Sequence, residues 1–301
     1  MVDPLQNPAF AGFREVVPLS GFSGAFVALL RDDAGRLFVR KAAETADLSP
    51  RLRRQAERQS WLHGVLSGAA EVPAVEREGE TDGLYWFDMA FAAGRDATSY
   101  LSTTSFEAVE EFAACIRAVV ERLAASGPET PSEQTLSEVL VGKLAEIDGR
   151  TEGRFTSLLT PLHQGAGILD TDLPATATHG DLTFENIIVD RHRRLWLIDT
   201  IDSPLDHYWM DWTKLFQECE GRWHMHRQRS LSLSVSWGLR QRFFEMARAM
   251  DPRYPGLHYL LLGLTFARIL PYARSEADVA FVSGRVAAFG ERAIRDLESC
   301  R

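Results

Sequence analysis

The run His179-Gly180-Asp181-Leu182-Thr183-Phe184-Glu185-Asn186 leads into the apolar stretch Ile187-Ile188-Val189, and a second apolar stretch, Leu195-Trp196-Leu197-Ile198, ends on Asp199. Between the two lies the polar turn Asp190-Arg191-His192-Arg193. Two short apolar runs divided by such a turn predict a β-hairpin. This hairpin constrains the chain more than any other feature, because it would carry Asn186 at the start of one strand to the side of Asp199 at the end of the other.

Magnesium takes hard oxygen ligands, usually one or two carboxylates completed by phosphate oxygens and water. Asn186 and Asp199 are therefore the candidate metal ligands. Asp181, on the same loop as Asn186, is placed to accept a hydrogen bond from an attacking hydroxyl and to take its proton late in a loose phosphoryl-transfer transition state. An isolated His-x-Asp-x-x-x-x-Asn match reads equally well as turn and cap chemistry, since Asp and Asn punctuate loops. The upstream chain separates the two readings.

There, Val16-Val17-Pro18-Leu19 and Phe26-Val27-Ala28-Leu29-Leu30 flank the small-residue loop Ser20-Gly21-Phe22-Ser23-Gly24-Ala25. Gly21, Ser23 and Gly24 would let backbone amides approach a phosphate, although a plain hairpin turn fits the same glycines. After the turn Asp32-Asp33-Ala34-Gly35, the strand Arg36 to Ala42 alternates. Leu37, Val39 and Lys41 share one face, and Arg36, Phe38 and Arg40 the other. An ammonium among apolar neighbours needs an anion, because burying it unpaired is costly. A helix is expected from Ser49-Pro50, with Ser49 as cap and Pro50 at its first position. Leu52, Ala56, Gln59 or Ser60, and His63 line one face of it. Glu57 within this helix is the candidate partner of Lys41. Glu44 is an alternative, and a solvated Glu57 paired with Arg53 or Arg54 is the plain structural one.

The order of small-residue loop, strand lysine, helix glutamate, His-x-Asp-x-x-x-x-Asn loop and strand-terminal aspartate resembles the aminoglycoside phosphotransferase family. That family includes choline, homoserine and sugar kinases and shares the protein-kinase-like fold. The resemblance covers nearly the whole chain and is most specific from Thr178 to Asp211. It implies an α+β, two-lobed fold: an antiparallel-sheet lobe with one helix, residues 1–92, and a mainly helical lobe carrying the catalytic hairpin, residues 93–301. It further implies Asp181 as catalytic base, Asn186 and Asp199 on magnesium, and Lys41, fixed by Glu57, on the nucleotide phosphates. His179 and Asp211 would be structural residues of the catalytic loop. The strand Gly83 to Phe91 would end in a hinge, with the backbone of Asp88, Met89, Ala90 and Phe91 meeting a purine edge. Asp199-Thr200-Ile201 stands where protein kinases have Asp-Phe-Gly, and no Ala-Pro-Glu segment follows, which argues against a protein substrate.

Past Ala93-Gly94-Arg95-Asp96 the periodicity turns helical. Phe106, Val109, Phe112, Ile116, Val119 and Leu123 form one stripe, and Leu136, Val139 or Leu140, Leu144 and Ile147 another. Further helices are expected over Tyr208–Glu220, Ser230–Met250, Leu257–Tyr272 and Glu276–Ser299. The candidates for contact with an acceptor are Glu185, Asp202, Trp209, Trp212, Glu218 and Trp223, although aromatic stripes more often belong to cores. His224, His226, Arg227 and Arg229 read as a solvated basic surface.

Composition fits a globular chain of 301 residues with an ordinary 45% hydrophobic content. No apolar run approaches the ~20 residues that span a bilayer, and Met1-Val2-Asp3-Pro4 opens no signal peptide, so a cytoplasmic location is expected. Cys115, Cys219 and Cys300 are far apart and suggest neither disulfides nor zinc. A net charge of −9 disfavours nucleic-acid binding and gently favours a neutral or cationic substrate. The expectation is a magnesium-dependent kinase that moves the γ-phosphoryl of ATP or GTP to a hydroxyl of a sugar, aminocyclitol or amino alcohol. The alternatives are an enzyme that inactivates aminoglycosides, or a noncatalytic pseudokinase module. Retention of Asp181, Asn186, Asp199 and Lys41 together argues against the last. The oligomeric state is left open.

Overall fold

The computed structural model describes residues 7–13, 16–19, 25–128, 135–169, 173–201, 203 and 205–299. Gly21, Ser23, Gly24 and Asp202, all expected at the site, lie outside the described residues. The chain divides into two compact units, Met1–Arg95 with Ile188–Ile201, and Asp96–Ile187 with Asp202–Arg301.

In the first unit, β1 (Val16–Leu19), β2 (Ala25–Arg31), β3 (Leu37–Ala43), α1 (Ser49–Val65), β4 (Val75–Thr81) and β5 (Leu84–Ala90) follow in turn. The strands pair antiparallel in the order β1-β2-β3-β5-β4. The alternation read along β3 holds, but both faces are covered. Val39 packs with Leu52 and Ala56 of α1 and with Phe87 and Met89 of β5. Phe38 and Ala42 pack with Ala28, Leu30, Ala9 and Phe10 on the other side. That second cover is a short 3-10 turn over Pro8–Phe10, held by the Asn7 side chain, which accepts from Ala9 N and donates to the Ala43 carbonyl.

Covering the second face buries Arg40. Its guanidinium faces the carboxylate of Asp88 directly across the ladder at 2.6 and 2.9 Å, lies between the Phe13 and Trp86 rings, and donates to the Ala9 carbonyl. A buried arginine persists only when its charge is paired and its donors are used. Here both conditions are met.

Ser49 is not the cap of α1. Residues 46–48 already form a 3-10 turn that runs into the helix, so Leu48 takes the cap position. The Ser49 hydroxyl instead accepts from Tyr85 N at 3.0 Å and ties α1 to β5.

The expected hairpin forms as β7 (Ile187–Asp190) and β8 (Leu195–Leu197), preceded in a three-stranded sheet by β6 (Gly94–Asp96). The Asp190 carboxylate closes its turn by accepting from His192 N and Arg194 N. The sequence grouped this hairpin with the helices, whereas residues 188–201 belong to the first unit. The cause is Glu71, just past α1, which donates its N–H to Leu195 O and accepts from Leu197 N, both at 2.8 Å. Gly94 sits so close to β7 that a Cβ there would lie 2.4 Å from the Val189 carbonyl oxygen.

The second unit is helical: α2 (Ala97–Leu101), α3 (Phe106–Ala124), α4 (Leu136–Arg150), α5 (Thr156–Gly167), α6 (Trp209–Cys219), α7 (Trp223–His226), α8 (Leu233–Met250), α9 (Tyr254–Ala267) and α10 (Glu276–Ser299). Side chains cap α3 at Ser105, α4 at Thr135 in a capping box with Glu138, and α8 at Ser232. Helix α9 is buried along nearly its whole length and centres the unit. Among the described residues no helix is long and apolar enough to cross a membrane.

Candidate active site

In the first unit, β3 carries Lys41 inward, where it is buried. Its Nζ lies 2.5 Å from Oδ1 of Asp199, the residue that ends the hairpin's second apolar run. The backbone of Asp199 is left-handed, with φ of +62°. This conformation costs a non-glycine residue ~1 kcal/mol and collects at functional sites. From α1, the amide of Gln55 donates to the same Asp199 oxygen and to the Thr200 carbonyl, both at 3.0 Å.

The expected Lys41–Glu57 pair is therefore replaced by Lys41–Asp199 with Gln55 beside it. The inward face of α1 carries Leu52, Ala56, Gln59 and Leu62, whereas Glu57, one residue past Ala56 and turned about 100° from it, is exposed. Gln59 is buried and donates to the Pro73 carbonyl.

In the second unit, the loop before β7 is built on Asp211, fully buried in the first turn of α6. Its two oxygens accept from the backbone N–H groups of His179 and Gly180, each at 3.0 Å. Gly180 has φ of +86°, so the tight loop needs a residue without a Cβ at that point. The loop then presents Asp181. Asn186 donates through Nδ2 to both the carbonyl and Oδ2 of Asp181 at 2.9 Å, and Lys214 on α6 places Nζ 2.9 Å from Oδ1. His179 is fully buried and its Nδ1 accepts from Asp181 N.

Lys214 was missed from the sequence. It lies three residues after Asp211 on the same helix face, and that spacing is the signal that could have found it.

The expected acceptor residues scatter. Trp209 and Trp212 are fully buried and belong to the core, packed on Tyr254 and Phe243 respectively. Trp223 packs on Phe266 and Phe281. Glu185 lies 3.6 Å from Arg229. Glu218 is buried, and this burial first, then repulsion from Glu185, pushes its carboxyl up to about 8, although His224 N donates to it. The expected basic surface does not exist as such. His224 is buried, Arg229 bonds Asp96 and Ser99, and His226 bonds Asp278. Burial also holds His207 down at about 4.

At the expected hinge, the Asp88 side chain is committed to Arg40 and Arg77. Asp88 and Met89 are flanked by β3 and β4 on both sides, and the ladder ends at Ala90. The segment free of strand pairing is Phe91 to Ala93. No group of three or more His, Cys, Asp or Glu side chains is placed to hold a metal among the described residues.

No curated protein matches the chain by sequence. Solved structures do match it in fold. The chain is similar to the streptomycin–ATP ternary complex of APH(2")-IIa, at 13% identity and a TM-score of 0.64, over 97% of this chain and 99% of that one. It is similar to the GDP and kanamycin complex of APH(2")-IIia, at 14% identity and 0.64, over 97% of each chain. It is also similar to macrolide 2'-phosphotransferase type I, at 15% identity and 0.60, over 93% and 94%. A sequence profile of the phosphotransferase enzyme family, APH, matches residues 15–237, a span that runs from the strands before Lys41 through the Asp181 loop and α6. With its mixed α+β, kinase-like fold, the chain belongs to the APH phosphotransferase enzyme family.

Proposed function

We propose that the enzyme is a small-molecule kinase that transfers the γ-phosphoryl of ATP or GTP to a hydroxyl of a sugar, aminocyclitol or amino alcohol. The observation that carries this reading is the Asp181 loop: a carboxylate fixed by Asn186 and Lys214 on a backbone clamped by Asp211. Such fixation is what a base acting on a weakly nucleophilic hydroxyl requires. The nucleotides found in similar structures, ATP in one and GDP in another, support the choice of donor.

In this reading the acceptor oxygen bonds to the γ-phosphorus while the bond from that phosphorus to the β–γ bridging oxygen breaks. The nucleoside diphosphate leaves, and the hydroxyl proton passes to an oxygen of Asp181. Lys41 binds phosphate once nucleotide draws it from Asp199, and Gln55 keeps Asp199 oriented during the exchange. Asp199 and Asn186 are the proposed magnesium ligands. The residues suit a hard cation: Asn186 turns its NH2 toward Asp181, which leaves its amide oxygen as the donor, and Asp199 brings a carboxylate. Bound magnesium would neutralise charge on the β- and γ-phosphates. The purine edge is assigned to the open backbone at Phe91 to Ala93 rather than to Asp88 and Met89.

A polycationic aminoglycoside calls for ionised acids, and among the described candidates Glu218 is held protonated by burial and Glu185 already faces Arg229, which favours a less highly charged acceptor. The test is a panel of sugars, cyclitols, amino alcohols and aminoglycosides assayed for acceptor-dependent nucleotide consumption, with Asp181→Asn as control. The variant is expected to bind nucleotide normally and to turn over about 10²-fold more slowly or worse. Equal turnover by the variant would remove Asp181 from its role.

A further inference from the structure

At the C-terminal end of α6, about 13 Å along that helix from Asp211, the second unit contains a cavity of about 660 Å³. This volume lies in the range of small-ligand sites. Four arginines line it, Arg222, Arg240, Arg285 and Arg292, with a single carboxylate, Glu220. Arg240 and Arg292 share that carboxylate at 3.2 and 3.5 Å, and His258 and Tyr259 bond it as well.

Glu220 is held ionised. Burial works against its charge, but the bonds from His258 and Arg240 outweigh this and bring its carboxyl down to about 2. Arg222 and Arg285, in contrast, face no carboxylate among the described residues. Arg285 is partly buried, and its guanidinium is held below its ordinary value first by that burial and then by Arg222. Two unneutralised guanidiniums near one another, with one carboxylate shared by the other two, leave the cavity about three positive charges in excess.

Two further features point the same way. The first residues of α8, Leu233 and Ser234, also line the cavity, so the N-terminal end of an 18-residue helix opens onto it. The Ser232 side chain takes the Val235 N–H, so what this helix start offers an anion is its dipole and the N–H groups of Leu233 and Ser234. Trp237, 66% exposed, lines the cavity as well and offers it a flat apolar face.

We infer that this cavity is a binding site for a small, multiply charged oxyanion, a phosphate- or carboxylate-bearing molecule, gripped by Arg222 and Arg285 with Arg240, Arg292 and the start of α8 around it. Guanidinium forks match such groups bidentately. The inference does not depend on the acceptor reading above, since none of its residues belongs to the Asp181 loop or to the Lys41–Asp199 pair.

The experiment is calorimetric titration of the full chain with inorganic pyrophosphate and, separately, with citrate, in buffer freed of divalent metal by a chelating resin and containing no soluble chelator. Tryptophan fluorescence, with Trp237→Phe as the reference that isolates the Trp237 signal among the seven tryptophans, serves as a second readout. The wild type is expected to bind at least one probe at a single saturable site and to change its fluorescence. Pyrophosphate alone would identify a phosphate ligand, and citrate alone a carboxylate. The double variant Arg222→Ala/Arg285→Ala should weaken that binding at least tenfold. It removes no carboxylate partner, so its melting curve should stay with the wild type. Arg285→Lys should retain part of the affinity, and Lys41→Ala, which removes the cation assigned to the nucleotide phosphates, should bind the probe as the wild type does. Absence of saturable binding for both probes, wild-type affinity in the double variant, or loss of binding in Lys41→Ala would each overturn the assignment.

Discussion

Replacing Asp211 by Asn tests the clamp on which the catalytic loop rests. The carboxylate is fully buried and its two oxygens each take a backbone N–H at 3.0 Å. Bonds to a charged acceptor contribute about 1.5–3 kcal/mol each. Asparagine keeps one acceptor but turns an NH2 toward the second N–H, so one bond is lost and a buried donor is left unmatched, at a cost of about 2–4 kcal/mol. The strain falls on His179 and Gly180, immediately before Asp181. A displacement of that carboxylate by ~1 Å is enough to lower a positioned reaction on the order of 10²-fold. Urea unfolding followed by tryptophan fluorescence and steady-state kinetics measure the two effects on one preparation. A variant that loses under about 0.5 kcal/mol and keeps more than half its rate would show that the loop is held by something else.

Further perturbations separate other parts of the account. Gln55→Ala is expected to raise the nucleotide KM severalfold and Glu57→Ala to leave it unchanged; the reverse result would reinstate Glu57 as the partner of Lys41. Gly94→Ala drives a methyl into the Val189 carbonyl and should destabilise the first unit by about 1–3 kcal/mol, so an unchanged melting temperature would count against that close approach. Glu218 holds a proton in the fold that an unfolded carboxyl releases near 4.5. Its contribution to stability is thus full below pH 4.5 and is lost as pH rises through about 8. Glu218→Gln should abolish that loss, and parallel stability-against-pH curves for variant and wild type would refute the buried, protonated assignment.

The hairpin, the β3 alternation and the longer helices were legible because each imposes a period on its own residues. Helix starts were less legible: Ser49, the expected cap, is displaced by the 3-10 turn before it, and the caps at Ser105, Thr135 and Ser232 were missed. The Glu57 expectation failed against information already in the sequence, since Leu52, Ala56 and Gln59 define the inward face of α1 and Glu57 does not share it. Trp209 and Trp212 follow the rule that aromatic stripes belong to cores rather than the acceptor contact they were candidates for, and His224 leaves the expected surface because side-chain type does not encode the depth of a helix. The Arg40–Asp88 pair, Lys214 beside Asp181 and the grouping of the hairpin with the first unit depend on contacts between distant segments. No local pattern encodes those contacts.

The short plug formed by Asn7, Ala9 and Phe10 is an integral stopper for the sheet rather than a loose leader. It supplies one acceptor to the Arg40 guanidinium and, with Phe13, closes the ring sandwich around it. Trimming or tagging that unseats these residues would admit water to Arg40, and the damage would be felt on β3, two positions of which carry the Arg40 and Lys41 charges side by side in the chain.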